Sequence, residues 1–176
     1  MKEFVINDDN LKDEEIEEKV VRVKGLIFNS KNQILLVFNN NTYQFPGGHL
    51  DDGEEIDECI KREILEEIGI SVNVEEDPFL SIETYDSNYF GTGKKVLNTI
   101  YYYRFFTDED PDITKTHYDE LEANSEFKLF YVNFADIEEF IKSKVDEKEF
   151  DIRIAREMLH VVKEYNKIYG GNIWKY

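Results

Sequence analysis

Three glutamates, Glu63, Glu66 and Glu67, stand at i, i+3 and i+4 in a run of helical character, residues 54–68. On a wheel of about 100° per residue, Ile56, Cys59, Ile60 and Ile64 form one apolar face. Glu63 and Glu67 fall in the middle of that face, within roughly 20° of Ile56, and Glu66 lies at its edge beside Cys59. Carboxylates on a core-facing stripe repel one another and are costly to desolvate. They call for basic partners or for a divalent cation. The chain has only five arginines, one of which, Arg62, adjoins the cluster, so a metal is the better account. Oxygen ligands of this kind suit Mg2+ or Mn2+, which keep several waters and share substrate phosphates. The plainer alternative, three solvated glutamates on a surface helix, is weighed against the flanking residues below.

The elements around this helix are legible from patterning. Val20 to Phe28 and Gln33 to Phe38 are expected as strands joined by the turn-forming Asn29-Ser30-Lys31-Asn32. Tyr43-Gln44-Phe45 is a short extended piece stopped by Pro46-Gly47-Gly48, and Gly69 is expected to stop the helix. Residues 78–90 and 95–106 read as strands, the second apolar on both faces and therefore interior. A strand at 127–134, a short helix over Ala135–Lys142 and an amphipathic helix at 148–168 follow. Helices packing a mixed sheet make an α+β sandwich.

Composition bounds the function. The 176 residues carry a net charge of −18 with 41% hydrophobic and 14% aromatic content, enough for one cored domain. Such an acid excess argues against binding nucleic acid or an anionic membrane unaided. The excess is local: residues 1–18 carry −6, 51–67 carry −7 and 107–126 carry −7. Cys59 is the only cysteine, so no intrachain disulfide forms, and no apolar run suggests a signal peptide or a membrane span. A cytoplasmic location is the expectation.

The flanks of the helix decide its reading. The spacing Gly48-x5-Glu54-x7-Arg62-Glu63-Ile64-x-Glu66-Glu67-x-Gly69-Ile70 matches the Nudix box at every defined position, and Tyr43 to Gly48 resembles the approach to it. The chain thus resembles the Nudix hydrolases (MutT-like), with Asp51, where many members have Glu, as a mild departure. The resemblance implies an α/β/α sandwich with a mixed sheet over residues 19–143. An acidic lead-in (1–18) would precede it, and a C-terminal helical extension (144–176) would cap the sheet or serve a homodimer. It implies Mg2+- or Mn2+-dependent hydrolysis of a small nucleoside diphosphate derivative by water attack on phosphorus. Glu63, Glu66 and Glu67 would be metal ligands, Glu54 an auxiliary ligand or a brace for the loop, and Arg62 their ion-pairing partner. Gly47 and Gly48 would line the substrate site. The general base would be a box glutamate or one from the third acidic patch, with Glu120, Glu122 and Glu126 as candidates and Glu122 and Glu126 preferred.

Aromatic side chains at Tyr43, Phe45, Tyr85, Tyr89 and Tyr102 could stack on a base, or could simply fill strands and core. Tyr85 resembles the tyrosine that dinucleoside polyphosphate hydrolases carry in this region. Lys94, Lys95 and Arg104 are further phosphate contacts to consider, whereas His49, His117 and His160 have no metal-ligand spacing. Two other readings stand beside the enzyme: a Nudix-fold sensor that binds nucleotides without turnover, and a structural Ca2+ protein, which lacks any EF-hand loop here.

Overall fold

The structure is a computed structural model that describes residues 1–39, 41–112, 127–146 and 151–170. Seven strands form one mixed sheet: β1 (Lys2–Ile6), β2 (Glu18–Phe28), β3 (Gln33–Asn39), β4 (Thr42–Gln44), β5 (Leu80–Asp86), β6 (Val96–Phe106) and β7 (Lys128–Asn133). Three helices flank it: α1 (Ile56–Ile68), α2 (Ile137–Asp146) and α3 (Ile152–Tyr169). The strand order is β1-β5-β6-β2-β3-β4, with β7 on β3. β1 with β5 and β2 with β6 are parallel, and the remaining pairs are antiparallel.

Alternation along the two long central strands divides the molecule into layers. From β2 and β6, Leu26, Phe28, Ile100 and Tyr102 point to one face and meet α2 and α3 through Ile137, Ile141, Met158, Val161 and Tyr165. Val23, Ile27, Tyr103 and Phe105 point to the other and meet α1 through Cys59, Ile60, Ile64 and Ile68. The result is the expected α/β/α sandwich. β6 is buried on both faces, as its doubly apolar pattern required. Each fully buried aliphatic side chain stabilises this arrangement by about 1.5–3 kcal/mol relative to exposure.

Of the two roles open to the C-terminal helix, capping the sheet and serving a homodimer, the packing fits the first: with Met158, Val161, Val162 and Tyr165 fully buried, α3 covers the sheet as one layer of the sandwich. The N-terminal lead-in is also partly structural. β1 adds an edge strand beside β5, paired through backbone hydrogen bonds although its side chains are largely exposed. Its acidic continuation is neutralised locally, with Asp8 on Arg156, Glu15 on Lys95 and Glu18 on Lys94, while Asp13 and Asp9 accept from Tyr85 and Ser87. Among the described residues, no helix is long and apolar enough to cross a membrane.

Candidate active site

The site begins with the loop that enters α1. Residues 46–50 run along the open edge of β2: Gly25 N–H donates to the Pro46 carbonyl (2.8 Å), Val23 N–H to Gly48 (3.0 Å) and Leu50 N–H to Val21 (3.0 Å). The approach is close enough to demand glycine. Gly47 has φ +138°, and a Cβ there would run into the Val23 carbonyl. A Cβ on Gly48 would overlap the Glu63 carboxylate.

Glu67 is 7% exposed, and its Oε2 accepts the Gly47 N–H at 2.7 Å. The carboxylate that broke the apolar stripe is therefore turned into the loop and satisfied by backbone. Arg62 is the hub of the others. Its Nε and Nη2 each donate to Glu54 at 2.8 Å, its Nη1 donates to Glu63 (2.9 Å) and Glu66 (3.1 Å), and its Nη2 also reaches the His49 carbonyl (3.0 Å). The hydrogen bonds from Arg62, helped by the Asp51 N–H, hold the Glu54 pKa down at about 2. Of the two roles expected for Glu54, this bidentate pair fits the brace. Among the described residues no three acidic, His or Cys side chains converge as a preformed metal centre; Glu54, Glu63 and Glu66 are each bonded to the Arg62 guanidinium.

Glu63, Glu66, Glu67, Gly47, Gly48 and Arg62 all line one cavity of about 720 Å3. Its far wall supplies two cations that patterning did not single out, Arg22 and Lys24 from β2. The signal was available: within the otherwise uncharged run Val20–Phe28, two basic residues at i, i+2 share one face. Arg22 donates to His49 Nε2 (3.0 Å) and to the Tyr89 hydroxyl (2.9 Å). Lys24, 4% exposed, donates to Glu157 at 2.9 Å, and the Tyr102 hydroxyl donates to the same Glu157 oxygen. His49, discounted on spacing, lines the cavity too.

The aromatic candidates fare differently. Tyr43 and Phe45 are core residues, 5% and 0% exposed, with Tyr43 packed on Phe38, Phe130 and Phe140. They sit beside Gly47 in sequence, but strand alternation turns both rings towards α2 and α3, so neither offers a face to a base. Tyr102 is buried with its hydroxyl on Glu157. Tyr85 and Tyr89 line a second, smaller cavity. Lys94 and Lys95 are committed to Glu18 and Glu15, and Arg104 to Glu76 and the Tyr169 ring. Glu120, Glu122, Glu126 and His117 lie outside the described residues. Cys59 is buried, and burial with the nearby charges of Glu54 and Glu63 pushes its thiol up to about 12, so it is no nucleophile at neutral pH.

The model of the NUDIX domain family matches residues 18–154. The chain belongs to this family. The match extends past the expected residue 143 into the first turn of α3, in keeping with that helix being part of the Nudix sandwich. An RNA pyrophosphohydrolase from Shewanella frigidimarina is 40% identical over 47 residues, 26% of this chain and 27% of that protein. An 8-oxo-dGTP diphosphatase from Haemophilus influenzae is 31% identical over 94 residues, 49% of this chain and 64% of that protein. The chain thus spans less than two thirds of either relative. The crystal structure of a MutT protein from Methanosarcina mazei Go1 superposes with a TM-score of 0.58 at 20% identity, covering 86% of this chain and 99% of that one, a likeness of fold.

Proposed function

We propose that this Nudix chain is a pyrophosphohydrolase, cleaving the pyrophosphate linkage of a small nucleoside diphosphate derivative by attack of water on phosphorus. The observation that carries the reading is the buried Glu67 carboxylate, held by the Gly47 N–H beside a cluster in which one guanidinium serves several acids. The donor set is all oxygen and in negative excess, which fits Mg2+ or Mn2+. Glu63, Glu66 and Glu67 would hold the cation while Glu54 braces Arg62. What the cation supplies when bound is neutralisation and polarisation of the pyrophosphate.

The chain's own residues do the rest. Arg62 fixes the carboxylates before substrate arrives, so their ordering costs little at the moment of reaction. Arg22, whose hydrogen-bond partners His49 and Tyr89 carry no negative charge, presents positive charge to the same cavity, where phosphate oxygens can be received. A carboxylate takes the proton of the attacking water, from the box or from Glu122 or Glu126. The names of the two relatives, both pyrophosphate-cleaving enzymes, support the reaction class. A free nucleotide is a better substrate than an RNA end for a chain of net charge −18, since phosphates beyond the site would be repelled. The single, buried cysteine fits a reducing compartment such as the cytoplasm.

The test is incubation with Mg2+ or Mn2+ and a panel of ADP-ribose, diadenosine polyphosphates, NADH, nucleotide sugars and intact and oxidised dNTPs. Cleavage at a pyrophosphate, with 18O from solvent water recovered in one phosphate product, is the expected result. Inertness across the panel with nucleotide binding retained would replace the enzyme with a sensor.

A further inference from the structure

The smaller cavity, about 290 Å3, lies over the part of the β5–β6–β2 face that α3 leaves bare. Arg22, Lys24, Phe90, Asp151 and Ile154 line both cavities, so the two are continuous. Two side chains of this second chamber are not explained by folding. Phe90 is 62% exposed and held at φ 47°, ψ 31°, a left-handed conformation that bulky residues rarely adopt. The Tyr89 ring, 4.5 Å away, and the Arg22 guanidinium, 5.9 Å from the ring centroid, fix it at the lip between the chambers. Asn98 on β6 is 8% exposed and lines the chamber; its Nδ2 makes only a long bond (3.5 Å) to Thr84, and its Oδ1 has no partner. A buried acceptor of this kind is costly unless something donates to it.

We propose that this chamber is the base-recognition site and that it selects adenine, stacked on Phe90 and read by the Asn98 amide. The amide offers an acceptor and a donor side by side. That edge complements the N7 side of adenine, which presents the N6 amino donor beside the N7 acceptor. It mismatches the same side of guanine, which presents acceptors at both O6 and N7, so the selection applies to a base entering with its N7 side towards Asn98. Most fixed charge in the walls is already committed: Asp86 and Asp151 share Arg153, Asp8 holds Arg156, Glu157 holds Lys24, and Asp9 accepts from the Ser87 hydroxyl. An uncharged ring therefore enters without disturbing an ion pair, whereas a phosphorylated group would meet those carboxylates. The inference rests on the pyrophosphate occupying the neighbouring larger cavity, and it makes the substrate class an adenine nucleoside polyphosphate or diphosphate derivative.

The experiment has two arms. In the first, kcat/KM is measured with Mg2+ for ATP, dATP, GTP and dGTP, and for ADP-ribose against its guanine counterpart. A preference for adenine of about tenfold is expected, of the size one bidentate base contact gives. Asn98→Leu should bring the adenine-to-guanine ratio towards one. Phe90→Gly should raise KM about tenfold, more than it changes kcat, while leaving the melting temperature unlowered because glycine relieves the positive φ. In the second arm, adenosine binding is followed by calorimetry without metal, where no pyrophosphate chemistry is involved. Adenosine binding that Asn98→Leu abolishes, without turnover of any nucleotide, would keep this inference and discard the hydrolase. Turnover with no base preference, or a Phe90→Gly enzyme of unchanged KM, would overturn the inference and leave the hydrolase standing.

Discussion

Arg62 and Lys24 both line the larger cavity and both hold carboxylates, yet the charge balance around them is opposite in kind. Arg62 serves Glu54, Glu63 and Glu66 and lies 3.6 Å from Asp51, with the buried Glu67 close by along α1. Lys24 has one carboxylate, Glu157, at 2.9 Å, and the neutral Tyr102 hydroxyl completes that carboxylate's bonding. Burial and the Glu157 charge both push the Tyr102 pKa well up, which keeps the hydroxyl protonated as a donor. A balanced buried pair is a closed unit that ties α3 to β2. A cluster with more acid than base is one that a further cation completes, and only that second kind of network points to chemistry.

The largest effect should come from the acid-rich side. Glu67→Gln keeps the acceptor for the Gly47 N–H but removes the charge, so turnover should fall by about 10^3-fold or more, over about 4 kcal/mol of transition-state stabilisation. Its melting temperature should stay close to that of the parent. Near-normal rates in a well-folded variant would remove Glu67 from the chemistry.

On the balanced side the loss should be of stability. Glu157→Leu strands the Lys24 ammonium at 4% exposure, at a cost of about 3–5 kcal/mol in urea unfolding. Adding Lys24→Met should recover most of it, because replacing both partners leaves no buried charge. If the double variant is no better than the single one, the pair is not a closed unit.

A cation should tell the two networks apart directly. At about one hundred times its Kd, Mg2+ should add about 2.7 kcal/mol and raise the melting temperature by roughly 5–10 °C. Glu67→Gln should lose most of that shift, whereas Lys24→Met/Glu157→Leu should keep it. Equal shifts in all three proteins would place the cation elsewhere.

What could be read beforehand follows the same physics. The period of α1 and the glutamates that interrupt it are local facts, and both the helix and the turning of Glu67 into the loop follow from them. β1 was invisible because it is recruited by backbone bonds to β5 and by single contacts to α3, Lys2 with Glu164 and Phe4 with His160, and its largely exposed side chains carry no pattern. The stripe on α3 revealed an apolar face without deciding between the sheet and a second copy as what it covers, and packing on the sheet is what buries it. For Tyr43 and Phe45 the residue types left base stacking and core filling open, and the pleat sends both into the core. Phe90 and Asn98 gave no warning: exposure of one and the unpartnered oxygen of the other arise from which segments meet, not from their own neighbours in sequence.

A third network inverts the first and gives the smallest effect. Glu164 on α3 is 3% exposed at its side chain and lies between Lys167, at 2.6 Å, and Lys2 of β1, two bases for one acid. Hydrogen bonds from Lys167 and then Lys2 hold its pKa down at about 2, against an ordinary 4.5. A carboxylate depressed in the folded state contributes stability above its unfolded pKa and loses it as pH falls through the folded value. The contribution should therefore be complete above about pH 5 and fade from about pH 4.5 towards 2. Both lysines are about half exposed (48% and 54%), so screening limits the effect to about 1–2 kcal/mol. The measurement is the difference in urea midpoint between the parent and Glu164→Gln at about pH 6 and about pH 3. A gap that narrows on acidification shows a charge-dependent clasp of β1 on α3. A gap that is constant with pH makes Glu164 a packing residue, and the base-rich network no counterpart to the acid-rich one around Arg62.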